Sequence, residues 1–143
     1  MASRSACPSF TAAERTALAT QWLRRQQSRQ QGNKAEQQAC RWLECQGLIL
    51  IARNWHCRLG EIDLIMQHGT TLVFVEVRLR SQNAFGGALA SVDQHKQRRL
   101  VAAANHFLAH HPRWANSNCR FDVVAMENPN QTPSWIENAF YGE

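Results

Sequence analysis

Two short strand patterns in the middle of the sequence constrain the fold most strongly. They are EIDLIM (61–66) and TLVFVEVR (71–78), which are short and rich in residues that favour strands. Between them, Gly69 can begin a two-residue type II′ turn, whose twist matches that of paired strands. The sequence therefore predicts an antiparallel hairpin with one defined register, in which Asp63 faces Glu76.

The same register places Glu61 opposite Arg78, and period-2 alternation puts all four side chains on one face of the hairpin. Facing residues have Cβ atoms about 5 Å apart. The carboxylates of Asp63 and Glu76 therefore repel each other unless a shared proton, a cation such as Arg78 or a divalent metal ion compensates. Mg²⁺ or Mn²⁺ prefers oxygen ligands, so the backbone carbonyl of Val77 and water could complete the shell. Such an ion could support phosphodiester hydrolysis, because it polarises the phosphate and lowers the pKa of water.

The rest of the sequence predicts two helices and further strands around this hairpin. Apolar residues at helical spacing end before Gly47, which predicts a helix over 33–46 and a strand over 48–54. Ser91 could cap a second helix over 92–110. The remaining predicted features are a glycine-containing loop over 81–90, a strand over 119–126 and a short edge strand between 129 and 143. The order α-β-β-β-α-β predicts an α/β fold, with a meander of three strands in a mixed central sheet flanked by helices.

The length and composition fit one globular domain. The 143 residues are 44% hydrophobic and 19% charged, and 16 basic against 11 acidic residues favour a polyanionic partner. We expect a flexible or helical N-terminal extension over 1–31 and a folded domain over 32–143. The sequence shows neither a membrane span nor the apolar run of a secretion signal. We therefore expect a cytoplasmic protein that is not bound to a membrane.

Several motifs together resemble one known family. They are G-x-x-x-E (32–36), GEIDLI (60–65), FVEVR-x-R (74–80), K-x-x-x-L (96–100) and RFDVV (120–124). In this combination the chain resembles the YraN-like family of small bacterial proteins, from about Gly32 to Tyr141. The resemblance implies a restriction-endonuclease-like fold, similar to that of archaeal Holliday junction resolvases, and membership of the PD-(D/E)xK nuclease superfamily.

The resemblance also implies roles for particular residues. Asp63 would be the central acid of the superfamily, Glu76 the second acid, and Glu36 the first-helix acid of resolvase-like members. The sequence departs from the pattern at Arg78, where the E-x-K motif of the superfamily has lysine. A lysine there can orient or deprotonate the attacking water, whereas arginine keeps its proton and can only orient and neutralise.

Simpler structural roles stay open for these positions. Glu61 and Arg78 could form only a cross-strand ion pair, and Glu36 could be a solvated helix residue. The basic residues of the second helix could be a solvated face, or could hold phosphates beside the glycine-containing loop. Arg80 or Lys96 could also supply the cation that the arginine replaces. The candidate nucleic-acid-binding residues are Arg80, Lys96, Arg98 and Arg99.

Three functional hypotheses follow. The first is a Mg²⁺- or Mn²⁺-dependent endodeoxyribonuclease that acts on branched or structured DNA as a homodimer by analogy with resolvases. Its catalytic residues would be Asp63, Glu76, Arg78 and Glu36. The second is a nucleic-acid-binding protein that retains the nuclease fold but does not cut. The third is a structural or adaptor protein whose positive charge serves solubility.

Overall fold

The computed structural model describes residues 11–79, 92–126 and 132–141. The predicted loop over 81–90, together with Arg80 and Ser91, lies outside these ranges. The chain forms two compact units, residues 1–33 and 34–143. Its elements, in order, are α1 (Ala12–Cys45), β1 (Ile49–Cys57), β2 (Gly60–His68), β3 (Thr71–Leu79), α2 (Gln94–His110), a 3-10 turn (Pro112–Trp114), β4 (Cys119–Met126) and β5 (Ser134–Phe140).

The strands form one mixed five-stranded sheet in the order β1-β2-β3-β4-β5. The first three strands make an antiparallel meander, β4 runs parallel to β3, and β5 is antiparallel to β4. The parallel pair requires a crossover connection, which contains α2. The predicted α/β class and mixed sheet are confirmed, and the C-terminal tail adds the fifth strand.

Helical residues cover both faces of this sheet in the unit 34–143. Alternation along β3 directs Leu72 and Phe74 towards one buried cluster and Val73 and Val75 towards the other. The first cluster includes four buried residues of α2, which are Leu100, Ala103, Ala104 and Phe107. The second includes four buried residues of α1, which are Ala35, Ala39, Cys40 and Leu43. A polar residue on β3, such as Glu76, therefore lies between two apolar layers.

The first helix starts much earlier than the predicted residue 33. Thr11 and Glu14 form a capping box, since the Glu14 N–H donates to Thr11 Oγ1 at 3.3 Å and the Thr11 N–H donates to Glu14 Oε2 at 2.7 Å. An Ala- and Gln-rich sequence then favours helix without needing an apolar stripe. The helix ends as predicted before Gly47, whose φ of 97° is readily adopted only by glycine.

The second helix begins at Gln94, two residues later than predicted, because Asp93 caps it. The Asp93 Oδ1 atom accepts a hydrogen bond from the N–H of Lys96 at 2.8 Å.

No helix within the described ranges is long and apolar enough to cross a membrane.

Candidate carboxylate site

The two predicted acids lie where the β2–β3 hairpin opens. From the turn to the Leu64–Val75 pair, the ladder follows the predicted register. Leu64–Val75 is its last pair, and beyond it the side chain of Asp63 forms the next hydrogen bond to β3. Its Oδ2 atom accepts a hydrogen bond from the N–H of Val77 at 2.9 Å. The carboxylate thus occupies a main-chain donor on the neighbouring strand.

Asp63 and Glu76 lie side by side, with carboxyl groups close enough to share a hydrogen bond. Glu76 is only 4% exposed, because it follows the buried run of β3. Burial, together with the negative charge of Asp63, raises the pKa of Glu76 to about 7. Burial also raises the pKa of Asp63, although the Val77 N–H acts in the opposite direction. The pair therefore favours a bound proton or a nearby cation.

Two cations contact Glu76 at the same oxygen. Lys96 Nζ, from the first turn of α2, lies 3.3 Å from Glu76 Oε1, and Arg78 Nε lies at the same distance of 3.3 Å. The arginine contact is one of charge alone, since its buried Nε atom has no hydrogen-bond partner. Both cationic side chains remain partly exposed, at 33% for Lys96 and 28% for Arg78. Either could turn towards a ligand.

The hydrogen-bonded ladder reaches neither predicted facing pair, Asp63 with Glu76 or Glu61 with Arg78. The β2–β3 ladder ends before these positions, so Glu61 pairs only with His56 of β1, and Arg78 lies against Glu76 of its own strand. Among the described residues, no ion pair joins Glu61 to Arg78. The physical reason is the Asp63 side chain, which takes the Val77 N–H and replaces the continuing ladder.

Glu36 of α1 reaches the same acids from the other helix. Burial, followed by the charge of Asp63, raises the pKa of Glu36 to about 7. Asn54 opposes this rise through a side-chain hydrogen bond to the carboxylate. The Glu36 Oε2 atom is nevertheless buried without a hydrogen-bond partner. Glu36 thus lies near enough to Asp63 for the charge of Asp63 to affect its pKa.

Asn54 is a site residue that the sequence analysis missed. On β1 it lies between Arg53, which pairs with Leu64, and Trp55, which pairs with Ile62, and so it is across from Asp63. Its φ of 49° is left-handed, a conformation that asparagine adopts more readily than most residues. Unusual backbone of this kind is often found at functional sites. The only sequence signal was an asparagine inside a strand pattern.

The donor atoms at this site suit a hard divalent cation. They are carboxylate oxygens, one of them buried and unpartnered, beside the main chain of Val77. Within the parts of the chain that the structure describes, no group of three or more His, Cys, Asp or Glu side chains is gathered closely enough to hold an ion. Mg²⁺ commonly uses one or two carboxylates and keeps several waters. The carboxylates of Asp63 and Glu76 are ligands of this kind.

The remaining basic candidates are spread along α2. Arg98 and Arg99 are exposed and do not contact the carboxylates, whereas Lys96 does. The main chain of Arg99 is close to β2, since a Cβ atom added to Gly60 would lie 2.8 Å from the Arg99 carbonyl oxygen. Glycine at the start of GEIDLI thus lets α2 approach the strand that carries Asp63.

These features define a mixed α/β protein with buried carboxylates at the open end of a central hairpin. The sequence profile of the "Uncharacterised protein family UPF0102" matches residues 35–126. The chain belongs to this family, and the resemblance to YraN-like proteins is confirmed.

Several relatives match most of the chain. A UPF0102 protein of Alcanivorax borkumensis is 57% identical over 115 residues, covering 78% of this chain and 92% of the relative. One from Pseudomonas fluorescens is 51% identical over 111 residues, with 78% and 92% covered. One from Pseudomonas aeruginosa is 49% identical over 120 residues, with 81% and 96% covered. Their names give the family and no activity.

Proposed function

We propose that this chain is a metal-dependent nuclease-like protein with a restriction-endonuclease-like fold, and that it cleaves phosphodiester bonds in branched or otherwise structured DNA. The observation that carries the proposal is the pairing of Asp63 with the buried Glu76, with Lys96 Nζ 3.3 Å from Glu76. Acids whose pKa values are raised by burial and by a specific charged neighbour are typical of functional sites.

In this proposal Asp63 and Glu76 bind Mg²⁺ or Mn²⁺, and the carbonyl of Val77 provides a further oxygen. When bound, the ion would polarise the phosphate and lower the pKa of water. Val77 holds Asp63 in place through its N–H, at 2.9 Å from the carboxylate. Glu36 assists from α1, since its free oxygen can hold a water beside Asp63.

Lys96 replaces the lysine of the E-x-K motif, because this chain has Arg78 at that position. Its amine comes from α2, yet it meets Glu76 as closely as Arg78 does, at 3.3 Å. A neutral lysine amine can accept a proton from water, and a charged one can orient water and phosphate. The guanidinium group of Arg78 steadies the phosphate by its charge. The missing motif lysine therefore does not exclude hydrolysis.

A non-catalytic DNA-binding protein is the second candidate, and a specific observation favours it. Lys96 and Arg78 both lie against Glu76, so the acid already has counter-charges without a metal ion. In that case the net charge of +5 would serve DNA binding alone. For both candidates we expect a cytoplasmic protein. A homodimer would match the two-fold symmetry of a branched DNA junction.

A cleavage assay on a panel of DNA structures tests the proposal. Single strands, duplexes, splayed forks and four-way junctions are incubated at low salt with Mg²⁺ or Mn²⁺, because phosphate contacts are strongest there. We expect wild type to cut a branched substrate and Asp63→Asn to lose the activity. Lys96→Ala should slow cleavage about 100-fold, as expected for the loss of a group that moves or orients a proton.

The matched control is Glu61→Gln, which removes an exposed acid two positions from Asp63 on the same strand and should cut like wild type. Equal cleavage by wild type and Asp63→Asn would contradict the proposal. Cleavage that appears only in Arg78→Lys would support the second candidate, since the fold would then hold a dormant site. A protein that neither binds nor cuts any of these substrates would favour a structural or adaptor role.

A further inference from the structure

A groove runs along the side of α2 that faces neither Glu76 nor the sheet core. It encloses about 830 Å³, and its lining residues are Gln94, Gln97, Arg98, Val101, Ala102, Asn105, Phe140 and Tyr141. A smaller cavity of about 340 Å³ continues it towards the start of β4 and shares Val101, Asn105, Phe140 and Tyr141. The groove thus lies between the second helix and the end of β5.

The α2 positions in the groove recur at helical spacing. Gln94, Arg98, Val101 and Asn105 are three or four residues apart, so they lie on one face of the helix. At 1.5 Å per residue this face is about 16 Å long. That length accommodates up to about five stacked nucleotides at roughly 3.4 Å each along one strand.

One end of the groove lies at the first turn of α2, which also carries Lys96. Gln94 and Gln97 flank Lys96 in the first turn of α2, and Lys96 contacts Glu76 at 3.3 Å. Lys96 points to the opposite side of the helix from Gln94 and Arg98, so a strand in the groove would pass around the N-terminal end of α2 to reach the carboxylates. The far end is at Tyr141, directly after β5.

The chemistry of the groove suits an unpaired nucleic-acid strand. Tyr141 is 78% exposed and offers an aromatic face, and Arg98 offers a cation for phosphate. Gln94, Gln97 and Asn105 provide amide donors and acceptors, and no described lining residue is acidic. A paired base could not stack on Tyr141, because its faces are already covered by neighbouring bases.

We propose that this groove binds a single-stranded DNA segment and leads it to the carboxylate site, with Tyr141 stacking on a base and Arg98 holding a phosphate. This inference rests on the proposed function for the destination of the strand, since it assigns the substrate of that site as DNA with an unpaired arm. Binding in the groove itself needs no metal ion and no cleavage.

Fluorescence anisotropy in EDTA tests the groove separately from the chemistry. The probes are a labelled oligothymidylate and a blunt duplex of equal length. Wild type should bind the single strand more tightly than the duplex, and Tyr141→Ser should weaken single-strand binding about 5- to 10-fold, the lower range for loss of one stacked base. Tyr141→Phe keeps the ring and should bind like wild type.

Arg98→Gln should weaken binding and lower the salt dependence by about one released counterion. Its matched control is Arg113→Gln, an exposed arginine in the turn after α2 and outside the groove, which should change binding little. An unchanged affinity in Tyr141→Ser, or equal affinity for duplex and single strand, would overturn the groove proposal. So would displacement of the oligothymidylate by oligoglutamate at equal charge concentration, because that would indicate a general polyanion surface.

The two proposals fail separately. The double variant Asp63→Asn, Glu76→Gln should retain single-strand binding in EDTA, because neither residue lines the groove. If the wild-type protein binds the single strand through Tyr141 but never cleaves, the groove survives and the nuclease proposal does not. If it cleaves while Tyr141→Ser binds and cuts every substrate like wild type, the groove proposal alone is wrong.

Discussion

Asp122 and Glu76 are buried acids on adjacent central strands, at 1% and 4% exposure, but their surroundings differ. Asp122 accepts hydrogen bonds from Arg120 Nε at 3.0 and 3.2 Å, from Trp135 Nε1 at 2.9 Å and from the Asn138 N–H at 3.0 Å. Both of its oxygens therefore have close partners. Glu76 faces a second acid, and its two cations stay partly exposed.

This difference separates an acid that holds the fold together from one that is available to a ligand. The Asp122 network joins β4 to β5, and Arg120 Nη2 extends it to His68 Nδ1 at 2.8 Å, at the hairpin turn. A carboxylate with complete partners has nothing left to offer a metal ion. Under the proposed function Glu76 retains that capacity, since its burial is only partly offset.

Removal of Asp122 should have the largest effect on stability. Asp122→Ala leaves Arg120 and the Trp135 N–H without their partner, and breaking a buried pair in this way costs about 3–5 kcal/mol. Chemical denaturation of the metal-free protein should show this loss in the free energy of unfolding. Asp63→Asn is the contrasting variant and should cost little, because it relieves repulsion with Glu76. Similar losses for the two variants would break the comparison.

A pH dependence of stability should come from the carboxylate site. The pKa values of Glu36 and Glu76 are raised to about 7 in the folded chain, so the folded state binds more protons than the unfolded state between pH 4.5 and 7. The free energy of unfolding of the metal-free protein should therefore fall as the pH rises through this window. The expected change is on the order of 3 kcal/mol, since the pKa of Glu76 rises from 4.5 to about 7 and a tenfold change in proton affinity is worth about 1.4 kcal/mol.

Glu76→Gln should flatten this pH dependence, whereas Glu61→Gln, which removes an exposed acid of β2, should change it much less. Denaturation curves at several pH values in EDTA measure it. A stability that rises between pH 5 and 7 in wild type would contradict the assigned direction in which the two pKa values move.

Loss of the Arg78 side chain should have the smallest effect on stability. Its side chain is 28% exposed, and its Nε makes no hydrogen bond despite the 3.3 Å distance to Glu76. Partly exposed ion pairs of this kind contribute less than about 1 kcal/mol. Arg78→Gln should therefore shift the denaturation midpoint only slightly. A loss comparable to that of Asp122→Ala would show that Arg78 is a structural counter-ion.

The sequence predicted the part of the site that depends on local pattern. The turn at Gly69 and the strand alternation fix the hairpin register, so the neighbouring positions of Asp63 and Glu76 could be predicted from the amino-acid order alone. The Thr11-x-x-Glu14 capping box is also a local sequence signal for the start of a helix, although the helix was predicted to begin at residue 33. Local signals of this kind are carried by residues that are close along the chain.

The rest depends on contacts that no local pattern encodes. The hairpin ladder stops at Leu64 because the Asp63 side chain competes for the Val77 N–H. This competition depends on the folded arrangement of the two strands. Lys96 meets Glu76 because α2 docks against β2, where Gly60 allows a close approach. The left-handed backbone of Asn54 likewise follows from the packing of three elements around one acid.

Calorimetric titration of Mn²⁺ into the metal-free protein tests the central claim most directly. Wild type and Glu61→Gln should bind Mn²⁺ and Glu76→Gln should not, since only the last variant removes a carboxylate of the Asp63–Glu76 pair. Equal Mn²⁺ affinity in wild type and Glu76→Gln would contradict it.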